Sequence, residues 1–204
     1  PEAGMAQQVL PSPEQVRIAT WITMVAVVAD YLAVGVMRTL LPYYAKTLGG
    51  NTTLIGGLET AYGIGQVVGA VFMGRLSDRL GRRAVMIISF SGSAIGYSMA
   101  ACARGPGMLI ASRLPVGLAK QTVTVSRAIL ADCTTPGARS AQMSRLTAAM
   151  SLGYSLGPFF GAMLADWAGN NAVPAAAAAG MFVCLIPFVW FFLPETSPGR
   201  AAGA

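Results

Sequence analysis

Histidine is absent from this chain of 204 residues, which removes the side chain most often used as a general acid–base or metal ligand near neutral pH. Cysteine is scarce, and Cys102, Cys133 and Cys184 lie too far apart for a redox or zinc spacing. They read as passive packing residues. No phosphate-binding glycine loop and no nucleophile constellation occurs, so the chain reads as no enzyme, with no cofactor and no metal. Charge of either sign is sparse, at 11% of residues. The net charge of +6 sits between residues 75 and 83 and at scattered positions along apolar segments. That distribution gives no reason to expect a nucleic-acid partner.

What fills the chain is hydrocarbon, with 54% of residues hydrophobic. A membrane span needs about twenty largely apolar residues, and six such runs can be read, which makes this an integral, multi-pass membrane protein in contact with the lipid bilayer. The first, about Ile18 to Leu41, is broken by Asp30 and Arg38. It closes at Pro42, where Tyr43 and Tyr44 stand at an interfacial belt. The second, about Leu54 to Gly74, holds Glu59 and the Gly65-x-x-x-Gly69 spacing that lets helices approach closely. The third, Ala84 to Ala103, is uncharged and ends in a tight turn at Arg104 to Gly107. The fourth, about Met108 to Ala131, carries Arg113, Lys120 and Arg127. The fifth, Leu146 to Ala165, has Gly153, Gly157, Pro158 and Gly161 as a helix-packing motif, and the sixth runs from Ala172 to Leu193. Residues 1–16 read as a polar tail without the features of a signal peptide. Residues 17–195 form the six-span bundle, and residues 196–204 a polar tail or the start of a central linker. Opening on Pro1 rather than Met is what a fragment or a processed form would show. No sequence repeat stands out between spans 1–3 and 4–6, although an inverted structural repeat leaves only weak traces.

Between the second and third spans lies GRLSDRLGRR, residues 74–83, with Arg75, Arg79, Arg82 and Arg83 around one acid, Asp78. A dense basic turn between apolar runs is expected on the cytoplasmic side. Arg139 and Arg145 flank the loop between spans 4 and 5, whereas the remaining loops hold only Lys46 and Arg104. Both termini are therefore expected on the cytoplasmic side.

Charges within spans are expensive and mark pathways or buried pairs. Asp30 lies twelve residues into span 1 and Lys120 twelve residues into span 4 from the opposite side. Both are roughly 18 Å deep by helical rise, near the midplane of a core about 30 Å thick. Arg113, Lys120 and Arg127 stand seven residues apart and are expected to share one helix face. They form a cationic stripe, read as a pathway for substrate or protons, with a fixed helix-holding stripe as the alternative. Arg38 and Glu59, at similar depth near the outer ends of their spans, are expected to form a structural ion pair or to snorkel.

The pattern Gly-x-Leu-x-Asp-Arg-x-Gly-Arg-Arg between spans 2 and 3 resembles the signature loop of the major facilitator superfamily of secondary transporters. Span 1, with Asp30-x-x-x-x-Gly35 and Pro42, is similar to the first helix of tetracycline and multidrug proton antiporters. It departs from them in having Arg38 and Thr39 where those proteins keep apolar residues and a further proline. Span 4 carries an Arg113-x-x-x-Gly117 element without the usual Gln-Gly pair. Span 5 resembles Gly-x-x-x-Gly-Pro-x-x-Gly-Gly, with Ala162 in place of the final glycine. The 112–132 run resembles the eukaryotic member called major facilitator superfamily domain-containing protein 9.

The resemblance implies an all-α fold of six transmembrane helices in two inverted three-helix repeats, the amino-terminal half of a twelve-span carrier. A second six-helix half would come from the same chain continued or from a dimer partner. The implied function is proton-coupled antiport of a small organic solute, with Asp30 as the proton site. Arg113 would tune Asp30, and Lys120 and Arg127 would line the path. Gly74, Asp78, Arg79, Gly81, Arg82 and Arg83 would form a cytoplasmic gate, with Asp78 acting through the loop's fold. The alternatives are a facilitator of an anionic metabolite, suggested by the cationic stripe, and a non-transporting structural or assembly subunit.

Overall fold

In the computed structural model, residues 13–194 are described, and all regular structure among them is helical. Seven α-helices follow one another: α1 (Pro13–Thr47), α2 (Thr52–Leu80), α3 (Arg82–Ala101), α4 (Pro106–Ala119), α5 (Thr122–Asp132), α6 (Arg139–Ala168) and α7 (Ala172–Phe192). Five of them are long and apolar enough to cross a membrane. Together α4 and α5 supply the sixth span. The described part of α1 begins at Pro13, so the edge expected at residue 17 falls inside the helix. The expected tail segments 1–12 and 195–204 lie outside the described residues.

Local chemistry explains where the helices stop. Asn51 caps α2, its side-chain oxygen accepting the Leu54 N–H at 2.9 Å. Gly81 separates α2 from α3 with φ +92°, a backbone conformation open to glycine at little steric cost. The stretch expected as a short turn is therefore mostly helix. Leu76 and Leu80 sit among helix-tolerant Arg and Ser residues, and α2 runs through Gly74 to Leu80.

Span 4 also differs from expectation, because it is interrupted at Lys120 and Gln121. Pro115 has already removed one backbone donor from α4. The β-branched run Thr122 to Val125 that follows is a weak helix former. Neighbours then hold the break open. The Gln121 N–H donates to Ala119 O at 2.7 Å and to Ser89 Oγ of α3 at 3.2 Å. The Gln121 side chain donates to Gln66 O of α2 at 3.4 Å.

Cross-ties fix the two ends of the bundle. At one end Tyr44 donates to Ala100 O at 3.0 Å, joining α1 to α3. Tyr44 is thus buried and only Tyr43 is exposed, so the expected interfacial pair is split. At the arginine-rich end Arg82 reaches Asp132 of α5 at 3.3 Å, and Arg83 donates to Trp190 O of α7 while its guanidinium stacks 4.7 Å from that indole.

α1 packs on α6 and α7, α4 packs on α2 and α3, and α3 packs on α7. Exchanging the first three spans for the last three maps these neighbours onto one another, which is the inverted repeat. Glycines make the closest approaches. A Cβ on Gly157 would stand 2.6 Å from Gly35 Cα, and one on Gly65 would stand 3.0 Å from the Leu118 nitrogen. The two crossings use the same residues: Tyr62-x-x-Gly65-x-x-x-Gly69-Ala70 in α2 recurs as Tyr154-x-x-Gly157-x-x-x-Gly161-Ala162 in α6.

Candidate functional site

The interruption of span 4 leaves Lys120 at the end of α4 with its side chain turned towards α1. There its ammonium donates to Asp30 Oδ1. Asp30 is fully buried and Lys120 is 8% exposed. Of the cations of span 4, Lys120, placed at the depth of Asp30 by helical rise, is the one that reaches the acid. The other carboxylate oxygen, Asp30 Oδ2, has no hydrogen-bond partner. Phe182 of α7 lies 5.0 Å from the ammonium and Tyr31 lies 5.9 Å from it, a geometry in which aromatic faces attract a cation.

An aromatic column links this pair to the second buried cation. Phe182 stacks on Tyr97 with ring centroids 5.4 Å apart and planes at 5°. The Arg113 guanidinium then sits 5.3 Å from the Tyr97 ring. Arg113 is 5% exposed, and its Nε and Nη2 have no hydrogen-bond partner.

Beside the Asp30–Lys120 pair opens a cavity of about 380 Å³, whose wall includes Tyr31, Tyr62, Lys120, Gln121, Thr124 and Tyr154. A second cavity of about 30 Å³ adjoins it, lined by Arg113, Tyr97, Glu59 and Leu41. Val34, Arg38 and Tyr62 line both. The recurring tyrosines of the repeat, Tyr62 and Tyr154, therefore face one hollow from opposite sides.

Other candidate residues fall elsewhere. Arg127 is exposed and is not among the residues lining either cavity, because the break at Lys120 disrupts the helical phase that would have aligned it with Arg113. Arg38 and Glu59 make no ion pair with each other among the described residues. Arg38 instead lies 5.9 Å from the Tyr154 ring. The reason is packing: α1 leans on α6 and α7 while α2 leans on α4, so the cavity opens between them. Gly74 and Arg79 lie in the last turns of α2 and Gly81 at its end. Arg82 donates to Ser77 Oγ at 2.8 Å as well as meeting Asp132. The side chain of Asp78 lies outside the described residues. Gly153, Gly157 and Gly161 are buried against α1, with Pro158 beside them. Cys102 and Cys184 are exposed, while burial pushes the Cys133 thiol up to about 11.

Sequence reasoning missed Tyr31, Tyr62, Tyr97, Gln66, Gln121 and Phe182. A usable signal existed for the tyrosines. Tyr31, Tyr62, Tyr97 and Tyr154 lie inside spans rather than at their ends, where the interfacial preference of tyrosine would put them.

This arrangement, glycine-packed inverted repeats around a midplane ion pair, meets its counterpart in a family comparison. Residues 23–204 match the Major Facilitator Superfamily. The chain belongs to that superfamily. Major facilitator superfamily domain-containing protein 10 from Bos taurus is 39% identical over 149 residues, covering 72% of this chain and 32% of the relative. The tetracycline resistance protein, class B, of Escherichia coli is 27% identical over 176 residues, covering 85% of this chain and 44% of the relative. The crystal structure of the human organic anion transporter MFSD10 (TETRAN) superposes with a TM-score of 0.74 at 30% identity, covering 89% of this chain and 48% of that one. This superfamily member thus spans about a third to a half of the length of the relatives it matches. The animal relative is a different member from the domain-containing protein 9 that residues 112–132 resemble.

Proposed function

We propose that this chain forms the amino-terminal half of a secondary transporter that exchanges a small organic solute for protons. The observation that carries the reading is the buried Asp30–Lys120 pair beside a cavity of about 380 Å³. Ionisable residues at membrane depth mark substrate paths and proton relays. Here the acid keeps one oxygen unpartnered, and a proton on Asp30 would release Lys120. The resemblance of span 1 to the first helix of proton antiporters supports the same role. The arginine-rich end, where Arg82 and Arg83 tie α3 to α5 and α7, would be the cytoplasmic gate, and a second six-helix half would close the hollow.

The test is transport by the full-length protein in proteoliposomes under an imposed pH gradient, with tetracycline and the anionic dye fluorescein as probes. Gradient-driven movement of a probe, with matching proton flux, is expected in the wild type and lost in Asp30→Asn. Undiminished coupling in that variant would leave Asp30 a structural residue.

A second reading, a facilitator of anionic solutes, is favoured by the charge around the hollow. Arg38, Arg113 and Lys120 outnumber Asp30 and Glu59, and the human neighbour is an organic anion transporter. Fluorescein moving down its own gradient, at a rate indifferent to pH and to Asp30→Asn, would select it.

A further inference from the structure

Arg113 is the unexplained charge in this bundle. It is almost fully buried, and no acid lies within ion-pair distance of it among the described residues. Its guanidinium lies 5.3 Å from the centre of the Tyr97 ring, a contact that supplies no counter-charge. The two nitrogens without partners, Nε and Nη2, form one side of the guanidinium fork. That edge matches the two oxygens of a carboxylate in a bidentate contact. A buried charge without a partner is strongly destabilising, so the empty site is incomplete.

The space in front of it has a definite size. The adjoining cavity is about 30 Å³, roughly two of the 10–15 Å³ volumes that each admit a water. That accommodates the two oxygens of one carboxylate, or one halide ion. Arg38 and Tyr62 border the same space, adding a second positive charge and a residue that carries a hydroxyl group. Glu59 borders it too, yet makes no ion pair with either arginine.

We infer that Arg113, with Tyr62 and Arg38, forms an anion-binding site of single-carboxylate or halide size, separate from the Asp30–Lys120 pair. It lies about 10 Å along the span from that pair by helical rise, and it opens beside the larger cavity. This inference rests on reading the hollow as the solute path. A carboxylated solute would anchor its acid group on Arg113 and extend its body between Tyr62 and Tyr154. A free halide would fill the same place as a co-ion.

The experiment reads binding rather than transport, so that it stands or falls apart from the proton reading. Thermal unfolding of the full-length protein in nanodiscs would be followed with methanesulfonate as the background anion, titrating sodium acetate or sodium chloride at constant ionic strength. A saturable rise in Tm is expected in the wild type and in Asp30→Asn, and no rise in Arg113→Gln. Without added anion, Arg113→Gln should melt at or above the wild-type temperature, because it no longer buries an unpaired charge. A response to acetate alone assigns the site to a solute carboxylate, and a response to both assigns it to small anions. Either outcome supports the site. No saturable rise with either salt, or a rise that survives Arg113→Gln, overturns it. Arg113→Lys, which keeps the charge and loses the fork, should retain the chloride response and weaken the acetate response about tenfold. Should Arg113→Gln fail to fold, an unchanged acetate response in Arg113→Lys overturns the assignment.

Discussion

Asp30 and Lys120 illustrate how much depends on a single contact between buried charges. Each ion alone would be a buried, unpaired charge, and breaking such a pair from one side costs about 3–5 kcal/mol. Replacing both partners by uncharged groups of similar size can be close to neutral. We therefore expect Lys120→Met to lower thermal stability sharply and the double variant Asp30→Asn/Lys120→Met to recover most of the loss. Melting curves of the three proteins check this, and a double variant no better than the single would show that the pair is not the source of the effect. The common depth of these two residues was legible in the sequence, because depth along a helix is simple arithmetic, but it left Arg113 as well as Lys120 open as the partner. The ion pair expected of Arg38 and Glu59, with snorkelling as its alternative, used the same arithmetic and is not made. Depth says nothing about which helices are neighbours, and α1 and α2 stand on either side of a cavity.

Between elements, the glycines decide how near the backbones come. A methyl group on Gly157 would meet Gly35 Cα at 2.6 Å and Leu32 O at 2.7 Å, both backbone atoms that cannot swing aside. Gly157→Ala is expected to destabilise the bundle by about 1–3 kcal/mol through forced separation of α1 and α6. Gly180→Ala in α7, where nothing lies within 4 Å, should be neutral or slightly stabilising. Equal melting temperatures for the two variants would contradict the close crossing. Glycine spacing showed in the sequence that spans 2 and 5 were packing helices, but not that they were the same helix twice. The matching tyrosines and glycines become visible once α2 against α4 and α6 against α1 are seen as equivalent crossings. The interruption of span 4 was harder to read. Two polar residues, Lys120 and Gln121, do not by themselves stop a helix, and the bonds that hold the break open come from Ser89 and Gln66 on other helices.

For the whole molecule, the arginine-rich end and the Tyr44 end are opposite faces of one bundle, and the excess of basic residues at the first is expected to put that end on the cytoplasmic side. In a background without other cysteines, Arg79→Cys is expected to react with a membrane-impermeant maleimide only from the cytoplasmic side. Native Cys102, exposed just past the end of α3, should react only from the opposite side. Labelling of both from one side would refute the up-and-down threading. The number of spans and their order were legible because hydrocarbon thickness imposes a length on every crossing. The hollow was not, since it exists only where helices distant in sequence stand apart.

The ion pair at the centre of the bundle also bears on how the membrane potential acts. A carboxylate bound to an ammonium adds no net charge to the wall that holds it. Two states that differ only by one proton on Asp30 differ by one unit of positive charge on the moving part. Carrying that unit through the field is worth about 2.3 kcal/mol for each 100 mV traversed. Voltage should therefore act on the proton-loaded step more strongly than on the return of the intact pair, by one unit of charge. In proteoliposomes clamped with potassium and valinomycin, the loaded step is expected to quicken as the receiving side is made more negative. An equal voltage slope on the return would mean that Asp30 and Lys120 do not travel as a neutral couple.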